Sequence, residues 1–285
     1  MSFVKSCLIG LLCLSVSAVR SSNSRPELRI EPLAETLPAN FLKFYLHFSE
    51  PMERGDVFRY LRLVKVKADG SEEEVVEPFR EVELWGADFK TLTLWLHPGR
   101  QKPGVNLNVD LGPVLEEGES YRLIVSAEWK TELGWPVTGS RSKKFSVGPV
   151  DTQQPNPGKW GIERLSAVEL VLMTGDFLDP ASVRKRIEVR RELREDPLPT
   201  VVTVSEDRVF LKFMTMVPSG TVLERWYPGA YRISIYPELE DLAGNSLSRP
   251  FNLNLEENPN FVEKTDPVVV SFTINEDLDA ILTTP

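Results

Sequence analysis

A strand-opening unit that occurs twice constrains this chain most. Tyr227-Pro-Gly-Ala-Tyr-Arg-Ile-Ser-Ile-Tyr-Pro-Glu-Leu-Glu-Asp-Leu-Ala-Gly-Asn245 reads as a tight turn, a strand with Tyr231, Ile233 and Ile235 on one face, and a Gly-Asn turn. An alternating run from Leu247 to Leu255 follows, so the unit is expected to be a hairpin that closes a sheet. An imperfect copy lies about 110 residues upstream, around Tyr121. In each copy a glycine precedes the tyrosine, in Gly118-Glu-Ser-Tyr121 and Gly229-Ala-Tyr231, and an apolar residue lies just before it, Leu115 or Trp226. That spacing predicts a tyrosine corner, in which the phenol of a strand-opening Tyr bonds back to the preceding loop. Two closing units predict two tandem sandwiches. The chain's 285 residues accommodate that number.

The strands around these units have the required alternation. Phe41 to Phe48 puts Leu42, Phe44, Leu46 and Phe48 on one face, and Lys43, Tyr45 and His47 on a half-wet one. Pro51 ends it. A short helical turn is expected at Asp56–Tyr60 with Asp56 as its cap, and strand resumes at Leu61. Ala68-Asp-Gly70 is a hairpin turn. Val75–Trp85 and Thr91–Leu96 read as further strands, and His97 to Gly118 as a long loop that is a candidate functional surface. The second unit repeats this order, with Val168–Leu172 for the Phe41–Phe48 strand and Val209–Phe213 for Leu92–Leu96. The reading is all-β: two tandem immunoglobulin-like β-sandwich domains at residues 26–148 and 159–256, a Pro/Gly-rich linker at 149–158, and a tail at 257–285 with one possible edge strand.

The first 19 residues have the anatomy of a secretory signal peptide: Lys5 in a short n-region, an apolar run from Cys7 to Val19, and small residues at Ser15, Ser17 and Ala18. The run is too short to span a membrane as a helix. Cys7 and Cys13 both fall inside it, so the exported chain is expected to carry no disulfide and no thiolate site. A lipid-anchored alternative needs a small residue just before the modified Cys. Cys13 follows Leu11-Leu12, and Cys7 comes too early.

A formal net charge of −9, with cations dispersed among acids, gives no footing for nucleic acid. His47 and His97 are the chain's histidines, and neither belongs to a metal-binding motif; no Gly-x-Ser-x-Gly elbow, phosphate loop or His-Glu-x-x-His is present. His47 is expected at the surface and His97 at a turn. The acids Glu238, Glu240 and Asp241, with Asp176 and Asp179, could meet as a Ca²⁺ site; the alternative is a solvated turn in which Asp241 bonds its own backbone. Arg184 to Arg194 alternates with Glu188 and Glu192 as a charged face. The tryptophans Trp85, Trp95, Trp129, Trp135, Trp160 and Trp226 could stack on sugars or fill two cores. No catalytic, cofactor-binding or metal residue is assigned.

Two motifs give the chain a family resemblance. One is a strand ending in Phe48-Ser-Glu-Pro-Met52; the other is Tyr231 to Leu247, with its Asp-Leu-Ala-Gly-Asn turn. In these the chain resembles the bacterial immunoglobulin-like domains of the S-layer (SbsA-like) type. The first unit has a drifted rear turn, Trp129-Lys-Thr-Glu-Leu-Gly-Trp135, and the second a drifted front, Thr174-Gly-Asp-Phe-Leu178. The resemblance implies an exported, non-enzymatic structural or interaction module at the cell envelope. Its partner would be an unidentified protein or envelope component, with no cofactor, nucleic acid or membrane span. A carbohydrate- or calcium-binding module is the alternative.

Overall fold

A computed structural model describes residues 26–101, 106–139, 141–217, 220–223, 225–254, 256, 258–275 and 280–282. The expected signal peptide, with Cys7 and Cys13, lies outside the described residues. Four sheets form two sandwiches, each closed around its own apolar cluster.

In the first sandwich one sheet has the order β1 (Leu28–Glu31), β3 (Lys43–Phe48), β7 (Thr91–Trp95), β6 (Leu84–Trp85). The other runs β2 (Thr36–Pro38), β9 (Ser142–Gly148), β8 (Ser120–Val125), β4 (Leu61–Val66), β5 (Glu72–Glu74). The first segment switches sheets: β1 pairs antiparallel with β3, and β2 pairs parallel with β9. This is the immunoglobulin arrangement. Alternation in β3 buries Phe44, Leu46 and Phe48, and alternation in β8 buries Tyr121, Leu123 and Val125. Leu123 fills the place that a bridging cysteine takes in disulfide-bonded relatives of the fold.

The second sandwich repeats the order. One sheet is β10 (Gly161–Arg164), β11 (Glu169–Met173), β14 (Arg208–Val217), β13 (Thr200–Ser205), with β15 (Gly220–Leu223) pairing β14. The other is β12 (Ile187–Arg191), β16 (Gly229–Ile235), β17 (Val268–Ile274), β18 (Ala280–Leu282).

Both tyrosine corners form. The Tyr231 hydroxyl donates to the Tyr227 carbonyl at 2.8 Å, and the Tyr121 hydroxyl accepts from the Glu116 amide at 3.1 Å. The drifted rear turn of the first unit shares its geometry with the intact one of the second. In the second sandwich the Asp241 amide donates to the Asn245 carbonyl (2.9 Å), and Gly244 takes φ +83°. In the first, the Thr131 amide donates to the Trp135 carbonyl (2.9 Å), and Gly134 takes φ +83°. Met52 bridges to Thr131 as Leu178 bridges to Asp241. A positive φ is what requires glycine at both places.

Three sequence expectations need correction. The described residues of the Leu247–Leu255 run, 247–254, form no strand; β16 pairs instead with β17, a 32-residue excursion later, from Gly229↔Ile274 to Ile235↔Val268. Phe272 and Ile274 are buried there, and the Phe272 ring stacks on Tyr231 (5.4 Å). Val75–Trp85 is not a continuous strand, because Glu77 sits at φ +44° before Pro78 and breaks the ladder. Asp56 precedes a 3₁₀ turn at Val57–Tyr60 without capping it, since its own backbone is left-handed (φ +53°). It ion-pairs with Arg59 instead.

The long loop after His97 is also less open than expected. It contains α1 (Pro98–Gln101) and α2 (Asn106–Leu111). Arg100 is buried there and donates to the carbonyls of Val76, Leu111, Gly112 and Pro113. A guanidinium satisfied by backbone carbonyls in this way is a structural clamp for the loop.

Candidate functional site

The half-wet face expected of β3 is covered. Helix α3 (Pro180–Arg186) of the second sandwich lies against it, and Lys43, Tyr45 and His47 become the centre of the seam between the two sandwiches. Helix α3 forms where Asp179 caps it, accepting from the Ser182 amide at 2.7 Å, with Pro180 in the first turn.

The same Asp179 is almost fully buried, and its two carboxylate oxygens accept from the Tyr45 hydroxyl at 3.0 and 2.9 Å. The Lys43 ammonium stands 3.7 Å from Asp179 and 2.9 Å from Glu240. Burial works to lower the Lys43 pKa, but the Asp179 and Glu240 carboxylates outweigh it and hold the ammonium up. Burial pushes Asp179 up, against the pull of Lys43, Ser182 and Tyr45. Tyr45 is driven upward by burial and by the facing Asp179 charge, so its phenol stays protonated and donates.

A second buried carboxylate completes the seam. The Glu31 side chain is fully buried and is met by three side chains: Arg184 at 2.7 Å, His47 Nε2 at 2.9 Å, and Arg29. Burial alone would raise the Glu31 pKa; the His47 and Arg184 hydrogen bonds and the charges of Arg184 and Arg29 reverse this and hold it at about 2. His47 is therefore no free surface histidine. Its other nitrogen, Nδ1, meets Thr91 Oγ1 at 3.1 Å.

Apolar and amide contacts extend the seam. Leu242, at the tip of the Asp-Leu-Ala-Gly-Asn turn, is buried in the core cluster of the first sandwich. The Leu42 amide donates to its carbonyl at 3.3 Å. A Cβ added to Gly244 would lie 2.5 Å from Leu42 Cδ1, so the turn is seated closely. Asn40 exchanges two hydrogen bonds with the Asp151 backbone, and Asn245 donates to the same Asp151 carbonyl. Gln154 donates to the Ser246 and Leu247 carbonyls. The Pro/Gly-rich stretch is thus tied down on both sides.

The expected acidic cluster does not converge on a cation. Asp241 accepts at Oδ1 from the Ala243 and Asn245 amides and at Oδ2 from Asn245 Nδ2. Burial pushes its pKa up to about 7 despite these donors. Asp176 accepts from the Asn156 amide and Trp160 Nε1, each at 3.1 Å. Glu238 faces Arg186. Among the described residues no group of three His, Cys, Asp or Glu side chains is placed to hold a metal.

Most of the remaining candidates are held within the fold. His97 caps the first turn of α1, accepting at Nδ1 from the Gly99 amide (3.2 Å). The run from Arg184 is paired, with Arg190 on Glu188 and Arg191 on the Pro228 carbonyl. Trp129, Trp160 and Trp226 are buried and Trp85 and Trp95 half-buried; Trp135 is 56% exposed. Sequence reasoning missed Glu31. No local signal connects it to Arg184, which lies 153 residues away.

Every buried charge of the seam has a counter-charge or a cap to satisfy. Among the described residues of the seam the polar groups are satisfied by one another, which is the chemistry of a fastening. No helix of the described residues is long and apolar enough to cross a membrane.

No family model and no curated protein matches the chain. Among solved structures it is similar to the N-terminal part of the bacterial S-layer protein SbsC, at 10% identity and a TM-score of 0.30, over 74% of this chain and 40% of that one. Two further structures of that protein match over 92% of this chain and 41% of theirs. The S-layer protein rSbsC does so at 12% identity and a TM-score of 0.29, and domains 1-6 of SbsC at 9% and 0.29. The chain spans about two-fifths of the length of the solved chains it matches.

Proposed function

We propose that this chain is a non-enzymatic, exported structural module of the bacterial cell envelope or its exterior, built as a stiff pair of immunoglobulin-like sandwiches. The observation that carries the reading is the seam. Tyr45, Lys43 and Glu31 of the first sandwich are saturated by Asp179, Glu240 and Arg184 of the second, and Leu242 is seated in the opposite core. Domain pairs joined through a small polar contact are expected to move relative to one another. A joint with buried ion pairs and an interlocked leucine holds one angle, which suits a spacer or a presenting arm and serves no catalytic cycle. The secretory leader read from residues 1–19 supports export, and the immunoglobulin-like topology supports a spacer or binding role.

Fractionation of the producing cells, followed with an antibody to the chain, tests the location. The protein is expected in the envelope or the medium; recovery in the cytoplasmic fraction at full length contradicts export. Small-angle scattering tests the stiffness. One rigid conformation is expected to fit the profile, and a need for an ensemble of interdomain angles contradicts it.

A further inference from the structure

The turn that fastens the second sandwich to the first has a geometric twin that fastens nothing among the described residues. Thr131–Trp135 repeats the hydrogen bonds of Asp241–Asn245 and the same glycine φ of +83°. It sits at the opposite pole of the first sandwich, beside Met52 and the Pro51 carbonyl. A Cβ on Gly244 collides with the neighbouring domain, whereas one on Gly134 meets nothing within 4 Å. In the second sandwich the tip residues Leu242 and Ala243 are buried; in the register of these hydrogen bonds Glu132 and Leu133 take their places, with Leu133 83% exposed, and Trp135, the counterpart of Asn245, is 56% exposed. An exposed tryptophan is the residue type that anchors interaction hot spots, and Leu133 beside it widens the apolar tip.

The far pole of the second sandwich offers what such a turn needs. The loop before β11 exposes Leu165, and the segment entering β16 exposes Tyr227. The two loops adjoin, since the Trp226 amide donates to the Ala167 carbonyl at 2.7 Å. Three guanidinium groups are fixed around this patch. Arg164 reaches the Trp226 carbonyl, Arg191 the Pro228 carbonyl, and Arg225 lies 5.8 Å from the Tyr227 ring. Around the twin turn the acids Glu50, Glu53, Glu128 and Glu132 outnumber the cations Arg54, Lys90 and Lys130, with Arg54 paired to Glu132. An apolar tip with an acidic rim faces one end of the molecule, and an apolar patch with a basic rim faces the other.

We propose that Leu133 and Trp135 dock on the Leu165–Tyr227 pole of a second copy of this chain, continuing between molecules the head-to-tail contact already present between the two sandwiches. Such a contact is heterologous: each copy uses a different surface, so association adds copies in a row and does not stop at a symmetric pair.

Sedimentation of the purified protein over a concentration series tests this, with two variants in exposed side chains. One is Leu133→Ser with Trp135→Ser; the other is Leu165→Ser with Tyr227→Ser. The wild-type weight-average mass is expected to rise with concentration beyond that of a dimer. Each variant alone is expected to remain monomeric with an unchanged melting temperature, and an equimolar mixture to give a dimer and nothing larger. A wild-type protein that stays monomeric throughout overturns the proposal. So does self-association that survives in either variant alone, or a mixture that forms no complex. Because the readout is mass in solution, failure here leaves the envelope reading standing, and failure of that reading leaves the docking contact standing.

Discussion

The Tyr45 hydroxyl donates to both carboxylate oxygens of Asp179, at 3.0 and 2.9 Å, although 134 residues separate them. A side chain of the first sandwich thereby holds the N-cap of helix α3 in the second. Tyr45→Phe removes that donor and leaves a buried carboxylate short of a partner, which is expected to cost about 1–3 kcal/mol. Urea titration of the variant checks the size, and the loss is expected to appear in both sandwiches.

The pH dependence follows from two buried carboxylates of opposite sign. Glu31 is held at about 2 against an ordinary value of 4.5. Its contribution, about 3 kcal/mol for a shift of roughly 2.5 units, is present above pH 4.5 and is lost as pH falls through the range toward 2. Asp241 is raised from 3.8 to about 7. The folded state therefore binds the extra proton between these values, and stability falls as pH rises from about 4 through 7. Melting temperature is expected to peak on the acid side of neutrality, near pH 5. Glu31→Gln is expected to flatten the acid limb, and an unchanged acid limb counts against the assignment.

The twin turns permit a paired comparison. Gly134→Ala forces an L residue to φ +83° in open space and is expected to cost about 1–2 kcal/mol. Gly244→Ala carries the same backbone cost and adds a methyl 2.5 Å from Leu42 Cδ1 and 2.9 Å from the Phe251 ring. Overpacking raises the expected loss by about 1–3 kcal/mol more. Equal losses in thermal melts would show that the seam yields freely at this point.

Much of the fold was legible because it is written in local periodicity. Alternation identified β3, β7, β8 and β16, and the glycine-to-tyrosine spacing identified both corners. What local pattern could not reveal was the partner of β16. Leu247–Leu255 alternates as well as β17 does, but Leu247 is buried under the turn and the described residues 247–254 pair with no strand, while Val268–Ile274 supplies Phe272 and Ile274 to the core. The seam was illegible for a related reason. Lys43, Tyr45 and His47 on alternate positions read as a wetted face, and no feature of β3 announces the helix, 130 residues on, that covers it. At the acidic turn the self-bonding alternative for Asp241 is the one that forms, since an Asp two residues before an amide is a short-range pattern, but the turn is buried against the first sandwich and not solvated.

The central claim is that the two sandwiches behave as one body. Hydrogen exchange read peptide by peptide across a urea series tests it most directly, since β8 reports on the first sandwich and β16 on the second. The account predicts one shared midpoint for both strands in the wild-type protein. It predicts two separated midpoints in Leu242→Asp, where a charge replaces the leucine seated in the opposite core. Two midpoints already present in the wild type would contradict it.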